Sequence, residues 1–291
     1  MRNFKLVIEY DGTNFSGWQE QRVKGPFAKG ALRNTGSFGS PDPKKELSRS
    51  GDLPLPEGTF TKEASPPTIQ AHLREAIQKV TGEWVVLYAA SRTDAGVHAL
   101  GQVVNFKTSS NIPVEKLVPA INFYLPKEIV VRSAEEAPED FHAQFDAKSK
   151  VYKYTVLNDP IPRALDRNFS YRFPGSLDIE KMKQATSYLM GSHDFRSFSV
   201  ESLPEKNSTR NIKSFEITQE DKYIHLVVEA DGFLHKMIRG IVGTLLMVGS
   251  GKMAVEEFWR ILQAKSRRLA GPTAPARGLC LLKVKYNEEK S

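Results

Sequence analysis

A single cysteine, Cys280, stands in a chain of 291 residues, which excludes an intrachain disulfide. It lies in the strand-like run GLCLLKVKY and reads there as a small buried apolar residue, ahead of a catalytic thiol. The six histidines are scattered, and none joins a Cys, His or Glu cluster at ligand spacing, so no metal is expected. No apolar run reaches the roughly 18–20 residues that cross a bilayer. The nearest, MIRGIVGTLLMVG, is too short and carries Arg239 inside it. The opening MRNFKLVIEYDG starts directly with a strand pattern and has no signal-peptide core, which points to the cytoplasm and to no membrane partner. Nucleotide-cofactor signals are missing too. Gly240, Gly243, Gly249 and Gly251 fall within or after an apolar helix, not between a strand and a helix N-terminus, so they read as close helix packing. There is no P-loop, no Ser/His/Asp order and no paired acidic motif for two metals.

What is present is a globular composition with a basic excess. Apolar residues make up 40% and aromatics 10%, enough for one large domain or two ordinary ones. Forty-one Lys and Arg against 34 Asp and Glu leave a formal charge of +7. An anionic partner is the physical expectation, and nucleic acid is the commonest.

Periodicity organises the chain. FKLVIEYDG alternates, with Phe4, Leu6, Ile8 and Tyr10 on one face of a half-buried strand. A Gly-rich turn with Phe15 and Trp18 follows. Residues 23–66 are rich in Gly, Pro, Ser and Lys and keep no period, which predicts a long flexible insertion, either a tolerated surface loop or a basic arm that orders on RNA. SPPTIQAHLREAIQKVTG restores a helix through Ile69, Leu73, Ile77 and Val80, closed by Gly82. EWVVLYAA and QVVNF read as strands on either side of SRTDAGVHALGQ, and VEKLVPAINFYL as a short helix. Later, KSKVYKYTVLN reads as a strand and IEKMKQATSYLMG as a helix with Ile179, Met182 and Leu189 near one face. IKSFEITQEDKYIHLVVEADGF is a hairpin about QEDK, FLHKMIRGIVGTLLMVG and VEEFWRILQAKS are helices, and GLCLLKVKY is a last strand. Such mixing suggests an α+β fold with sheets covered on one side by helices.

Two features point to chemistry. Arg92, Thr93 and Asp94 sit in a turn between two strands, where a plain connection needs little beyond Gly96. Arg239 stands alone in an apolar helix, where a buried guanidinium is costly unless it meets an anion. A loop carboxylate such as Asp94 is a good partner and would be held ionised. Spacing alone leaves a purely structural ion pair equally open.

SRTDAGVHALGQVVNF resembles the catalytic stretch of the TruA-type tRNA pseudouridine synthases. The likeness continues, in the family's order, through VIEYDGTNFSGWQEQ, TIQAHLREAIQKVTG, INFYLPKEIVV, FHAQFDAKSKVYKYTVLN, FLHKMIRGIVGTLLMVG and TAPARGLCLLKVKY. The resemblance implies a tRNA-modifying isomerase that needs no cofactor. It detaches a uracil from C1′, turns it and rejoins it through carbon, in the anticodon stem-loop around positions 38–40. It implies that Asp94 is the essential carboxylate, attacking C1′ or removing a sugar proton; either route needs it ionised. It implies that Arg92 fills the space of a flipped base or holds a neighbouring phosphate, that Tyr152 stacks on the base, that Arg239 pairs with Asp94, and that Leu281 is an apolar wall. The implied fold is two related α+β halves, 1–147 and 148–291, sharing a mostly antiparallel sheet with a basic cleft between them. Family members are homodimers in which one tRNA can touch both subunits. Two departures stand out: the 23–66 insertion, and Gln144 in FHAQF, where the family usually shows Arg, so that one phosphate contact or surface ion pair is lost. Three rival readings keep the scaffold or the acid: a synthase with another RNA target, a non-catalytic RNA-binding module, and a metal-dependent RNA hydrolase.

Overall fold

The computed structural model describes residues 1–19, 67–200 and 208–287. The expected insertion over 23–66 lies outside the described residues. Local sequence signals place most elements. In strand β1, Arg2–Tyr10, alternation buries Phe4, Leu6, Ile8 and Tyr10 on one face. Helix α1, Ile69–Thr81, starts where the Thr68 hydroxyl accepts from the Ala71 N–H at 3.2 Å and stops at Gly82 in the left-handed region. Its Ile69, Leu73 and Ile77 are buried, with Val80 partly so. The late hairpin is β8, Thr209–Glu220, and β9, Tyr223–Ala230, closed through Asp221 at φ +52°.

These strands join one ten-stranded sheet. Its other members are β2 (Tyr88–Ala89), β3 (His98–Thr108), β4 (Ile129–Ala137), β5 (Ser149–Leu157), β6 (Tyr171–Arg172), β7 (Gly191–Asp194) and β10 (Leu279–Lys285). The order is β4-β1-β3-β10-β5-β9-β8-β7, with β2 beside β3 and β6 beside β5. Pairing is antiparallel except for β10 with β3 and β5 with β6. Strand β10 is the seam. It sets Leu281 opposite Tyr152 on β5 and opposite Ala99 on β3, so the start of β3 is brought beside the middle of β5. The remaining helices are α2 (Val114–Tyr124), α3 (Ile179–Ser187), α4 (Met237–Gly249) and α5 (Val255–Ala264). The expected α+β class is the one found. Among the described residues no helix is long and apolar enough to cross a membrane.

Two elements differ from expectation. EWVVLYAA alternates as a strand does, with Val85 and Leu87 buried and Trp84 63% exposed, yet only Tyr88 and Ala89 enter the ladder. Tyr88 pairs with Asn105 and Ala89 with Val104, while β10 joins β3 further along at His98 and Ala99. The second difference is FLHKMIRG, which does not begin as helix. Phe233–Lys236 form an approach, Lys236 turns at φ +60°, and α4 starts at Met237. Left-handed backbone at a lysine is sparsely populated, and here it steers the chain from the cleft into the core.

Helix α4 is buried along most of its length. Its glycines serve close packing, as expected. A Cβ on Gly243 would lie 1.7 Å from the Pro272 carbonyl oxygen, so the 272–274 segment can lie against the bare helix only because no side chain intervenes. Thr244 secures the same contact by accepting from the Gly271 N–H at 2.9 Å.

Candidate active site

The 91–97 turn is pinned from several directions. Gln102 on β3 grips Ser91 twice, accepting from its N–H at 3.1 Å and donating to its carbonyl at 2.6 Å. The buried Thr93 hydroxyl bonds the Tyr10 hydroxyl at 2.8 Å, and its carbonyl accepts from the Trp18 N–H at 3.0 Å. The Gly-rich turn that carries Trp18 is therefore the backing of the 91–97 turn. Gly17 sits at φ +93°, and a Cβ there would stand 2.7 Å from the Thr93 oxygen, so only glycine fits. A hydrogen bond from the Val97 N–H to the Asp94 carbonyl, 3.1 Å, closes the turn. With its backbone held, Asp94 presents its carboxylate to a cleft of about 490 Å³.

Arg239, in the first turn of α4, reaches across to it. Its Nη1 donates to Asp94 Oδ2 at 2.7 Å and its Nε donates to the Ala274 carbonyl at 2.7 Å. Ala274 returns a bond from its N–H to the Arg239 carbonyl at 3.0 Å. The guanidinium is thus aimed by the same 272–274 segment that packs on Gly243. The Asp94 and Arg239 side chains are 21% and 14% exposed, so the pair is largely desolvated. Asp94 Oδ1 accepts no hydrogen bond among the described residues, and His235 Nε2 stands 3.4 Å from it.

Tyr152 forms another wall. Its hydroxyl meets Ser91 Oγ at 2.9 Å, and its ring meets Phe233 edge-on with centroids 5.2 Å apart. Burial pushes its hydroxyl above the ordinary tyrosine range, with the Asp94 charge adding to the rise against the Ser91 bond. The phenol stays neutral and the ring keeps an apolar face. Arg92 lines the cleft, is exposed, and makes no hydrogen bond or ion pair among the described residues. It therefore gives up no partner on meeting a ligand. Gln144 also lines the cleft.

The sequence-derived residues Asp94, Arg92, Tyr152 and Arg239 therefore meet in one place. Leu281 does not join them. Strands β3 and β5 flank it on both sides, it is fully buried, and Leu279 two residues earlier reaches the cleft instead. Cys280 is half-buried in another hollow, and burial raises its thiol to about 11, so it stays protonated at neutral pH. Sequence reasoning missed His235, Phe233 and Lys150. The first two were absorbed into a helix that starts later than expected. Lys150 shares the cleft face of β5 with Tyr152 by simple alternation, a signal that was available. Among the described residues no three His, Cys, Asp or Glu side chains converge closely enough to hold a metal ion.

Comparison with known proteins adds the family. A family model described as tRNA pseudouridine synthase matches residues 57–146 and 185–287. The protein "tRNA pseudouridine synthase A" of Acetivibrio thermocellus is 40% identical over 286 residues, 98% of this chain and 100% of its own length. A protein of the same name from Thermoanaerobacter sp. is 41% identical over 98% of this chain and 100% of its own. "tRNA pseudouridine synthase A 2" of Clostridium perfringens is 42% identical with the same coverage. Matches of this extent, running through the Asp94 turn, β5 and α4 alike, make the chain a member of the tRNA pseudouridine synthase family.

Proposed function

We propose that the chain converts uridine to pseudouridine in the anticodon stem-loop of tRNA, in the class of positions 38–40, with Asp94 as the essential carboxylate. The observation that carries this reading is the pairing of Asp94 with Arg239. One oxygen is fixed at 2.7 Å and the other accepts no hydrogen bond among the described residues, in a cleft walled by Tyr152. A desolvated carboxylate held in this way is suited to attack on C1′ or to removal of a sugar proton.

The balance of the reaction matches these groups. The N1–C1′ bond breaks and a C5–C1′ bond forms. N1 regains a proton and C5 loses one, so no oxidant or group donor enters. The target base has to leave its stack to reach Asp94. Tyr152 offers it a neutral aromatic face, and the exposed Arg92 either fills the vacated space or holds a phosphate. Lining cations Arg92, Lys150, Lys236 and Arg239 against the single carboxylate Asp94 give the cleft a positive field for RNA. The reading includes a homodimer acting in the cytoplasm, with both subunits touching one tRNA, and two halves dividing near residue 147.

Because C5 loses its hydrogen, the test is tritium release from transcripts labelled at uracil C5, followed by mapping of the modified position. Release confined to anticodon-arm uridines supports the reading. Release from another arm, or from another RNA only, replaces the substrate and keeps the chemistry.

A further inference from the structure

Lys150 is the second residue of β5, and alternation turns it to the face that carries Tyr152. It lines the cleft and is only partly exposed. Its ammonium has no hydrogen-bond or ion-pair partner among the described residues. The charged groups around it do not supply one. Asp94, the one carboxylate of the cleft lining, is taken by Arg239 at 2.7 Å. Arg210 on β8 is another cation and acts against the charge on Lys150. Asp231, after β9, favours that charge from beyond ion-pair distance, and its Oδ1 accepts from the Asn211 N–H at 3.0 Å. The cleft lining also holds Arg92, His235 and Lys236, of which none is an anion, and Gln144, which carries no charge.

A desolvated ammonium among cations is costly in the empty protein, and its natural complement is an anion from outside. We propose that Lys150 is a phosphate seat: it binds a backbone phosphodiester of the RNA beside the nucleotide turned into the cleft. This rests on the reading of the cleft as a uridine site. A lysine suits the role because its ammonium is a compact point charge with three donors that adapts to a phosphate oxygen. The position also bears on Gln144. With a neutral amide at the rim, Lys150 supplies a charge on that side of the cleft.

The titration of Lys150 supports the assignment. Burial lowers its ammonium to about 8, Arg210 adds to the fall and Asp231 opposes it. A bound phosphate reverses that cost, so binding takes up a proton above pH 8, and affinity falls as pH rises through that value.

The test measures binding of an unmodified tRNA transcript, and its turnover, with the full chain as wild type, Lys150→Met and Lys150→Arg. The Met variant is expected to bind about tenfold more weakly at low salt and to lose about one unit from the slope of log affinity against log salt. Its turnover defect lies mainly in KM. The Arg variant is expected to restore affinity and to remove the pH dependence near 8. A wild-type salt slope in the Met variant overturns the proposal. Equal losses in both variants with lowered melting temperatures also overturn it, because the role is then packing. Binding is read apart from turnover, so the expected binding pattern without pseudouridine in any sample keeps the phosphate seat and refutes the proposed reaction.

Discussion

Replacing Arg239 by methionine isolates what its guanidinium does, because methionine keeps the apolar stem inside α4. Two bonds disappear, one to Asp94 Oδ2 and one to the Ala274 carbonyl, both at 2.7 Å. Exposed ion pairs contribute about 0–1 kcal/mol, whereas stranding one partner of a buried pair costs about 3–5 kcal/mol. With side chains 21% and 14% exposed, the Asp94–Arg239 pair falls between these limits. About 2 kcal/mol for the stranded carboxylate and about 1 kcal/mol for the unmet carbonyl give a loss near 3 kcal/mol. At this chain length that lowers Tm by roughly 5 °C. Asp94 then swings on a single turn, and a misplacement of about 1 Å costs roughly a hundredfold in kcat/KM. Lysine at 239 restores the charge and not the two-pronged geometry, so it recovers stability better than rate. Thermal melts and tritium release on the three proteins read these effects. A methionine variant within threefold of wild-type activity and within about 1 °C of its Tm would refute the claim that this pair organises the site.

Other perturbations probe the supports. Gly243→Ala pushes a methyl into the Pro272 carbonyl, 1.7 Å from where its Cβ would sit, and is expected to cost about 3 kcal/mol or more by urea denaturation while displacing Ala274 and, with it, Arg239. Tyr152→Phe removes one bond to Ser91, about 1 kcal/mol, and keeps most activity, whereas Tyr152→Leu removes the stacking face and lowers kcat/KM by about 10–100-fold; equal losses in the two would assign the role to the hydroxyl. Asp194 is held down to about 2, since its hydrogen bonds from Arg196 and Ser208 outweigh the rise that burial causes. A carboxylate depressed in the folded state stabilises above the unfolded value and loses that contribution as pH falls toward 2. Asp194→Asn should therefore cost about 1–2 kcal/mol at neutral pH, with the gap to wild type closing in acid titrations.

How much of this was legible in the sequence depends on how local each signal is. The faces of β1 and α1 and the β8–β9 hairpin follow from periods of 2 and 3.6 and from Thr68, Gly82 and the Asp221 turn, all within a few residues. The place of β10 between β3 and β5 does not. Parallel pairing with a strand some 180 positions earlier leaves no trace in GLCLLKVKY. The isolated arginine of an apolar helix did point to an anion, and the structure supplies Asp94. Tyr152 and Leu281 came from resemblance, which places a residue on a strand without saying which neighbours cover it; Leu281 is sealed between β3 and β5 for that reason. His235 and Phe233 were hidden because an apolar run gives no sign that its first four residues, ending at a left-handed lysine, stay outside the helix.

The most direct measurement compares the wild-type chain with Asp94→Ala on unmodified tRNA transcripts, without added cofactor or metal and with EDTA present, mapping pseudouridine by chemical labelling. The account predicts pseudouridine in the anticodon stem-loop from the wild type alone, with tRNA bound by both proteins. Pseudouridine from the alanine variant, or tight binding by both with none formed by either, would contradict it.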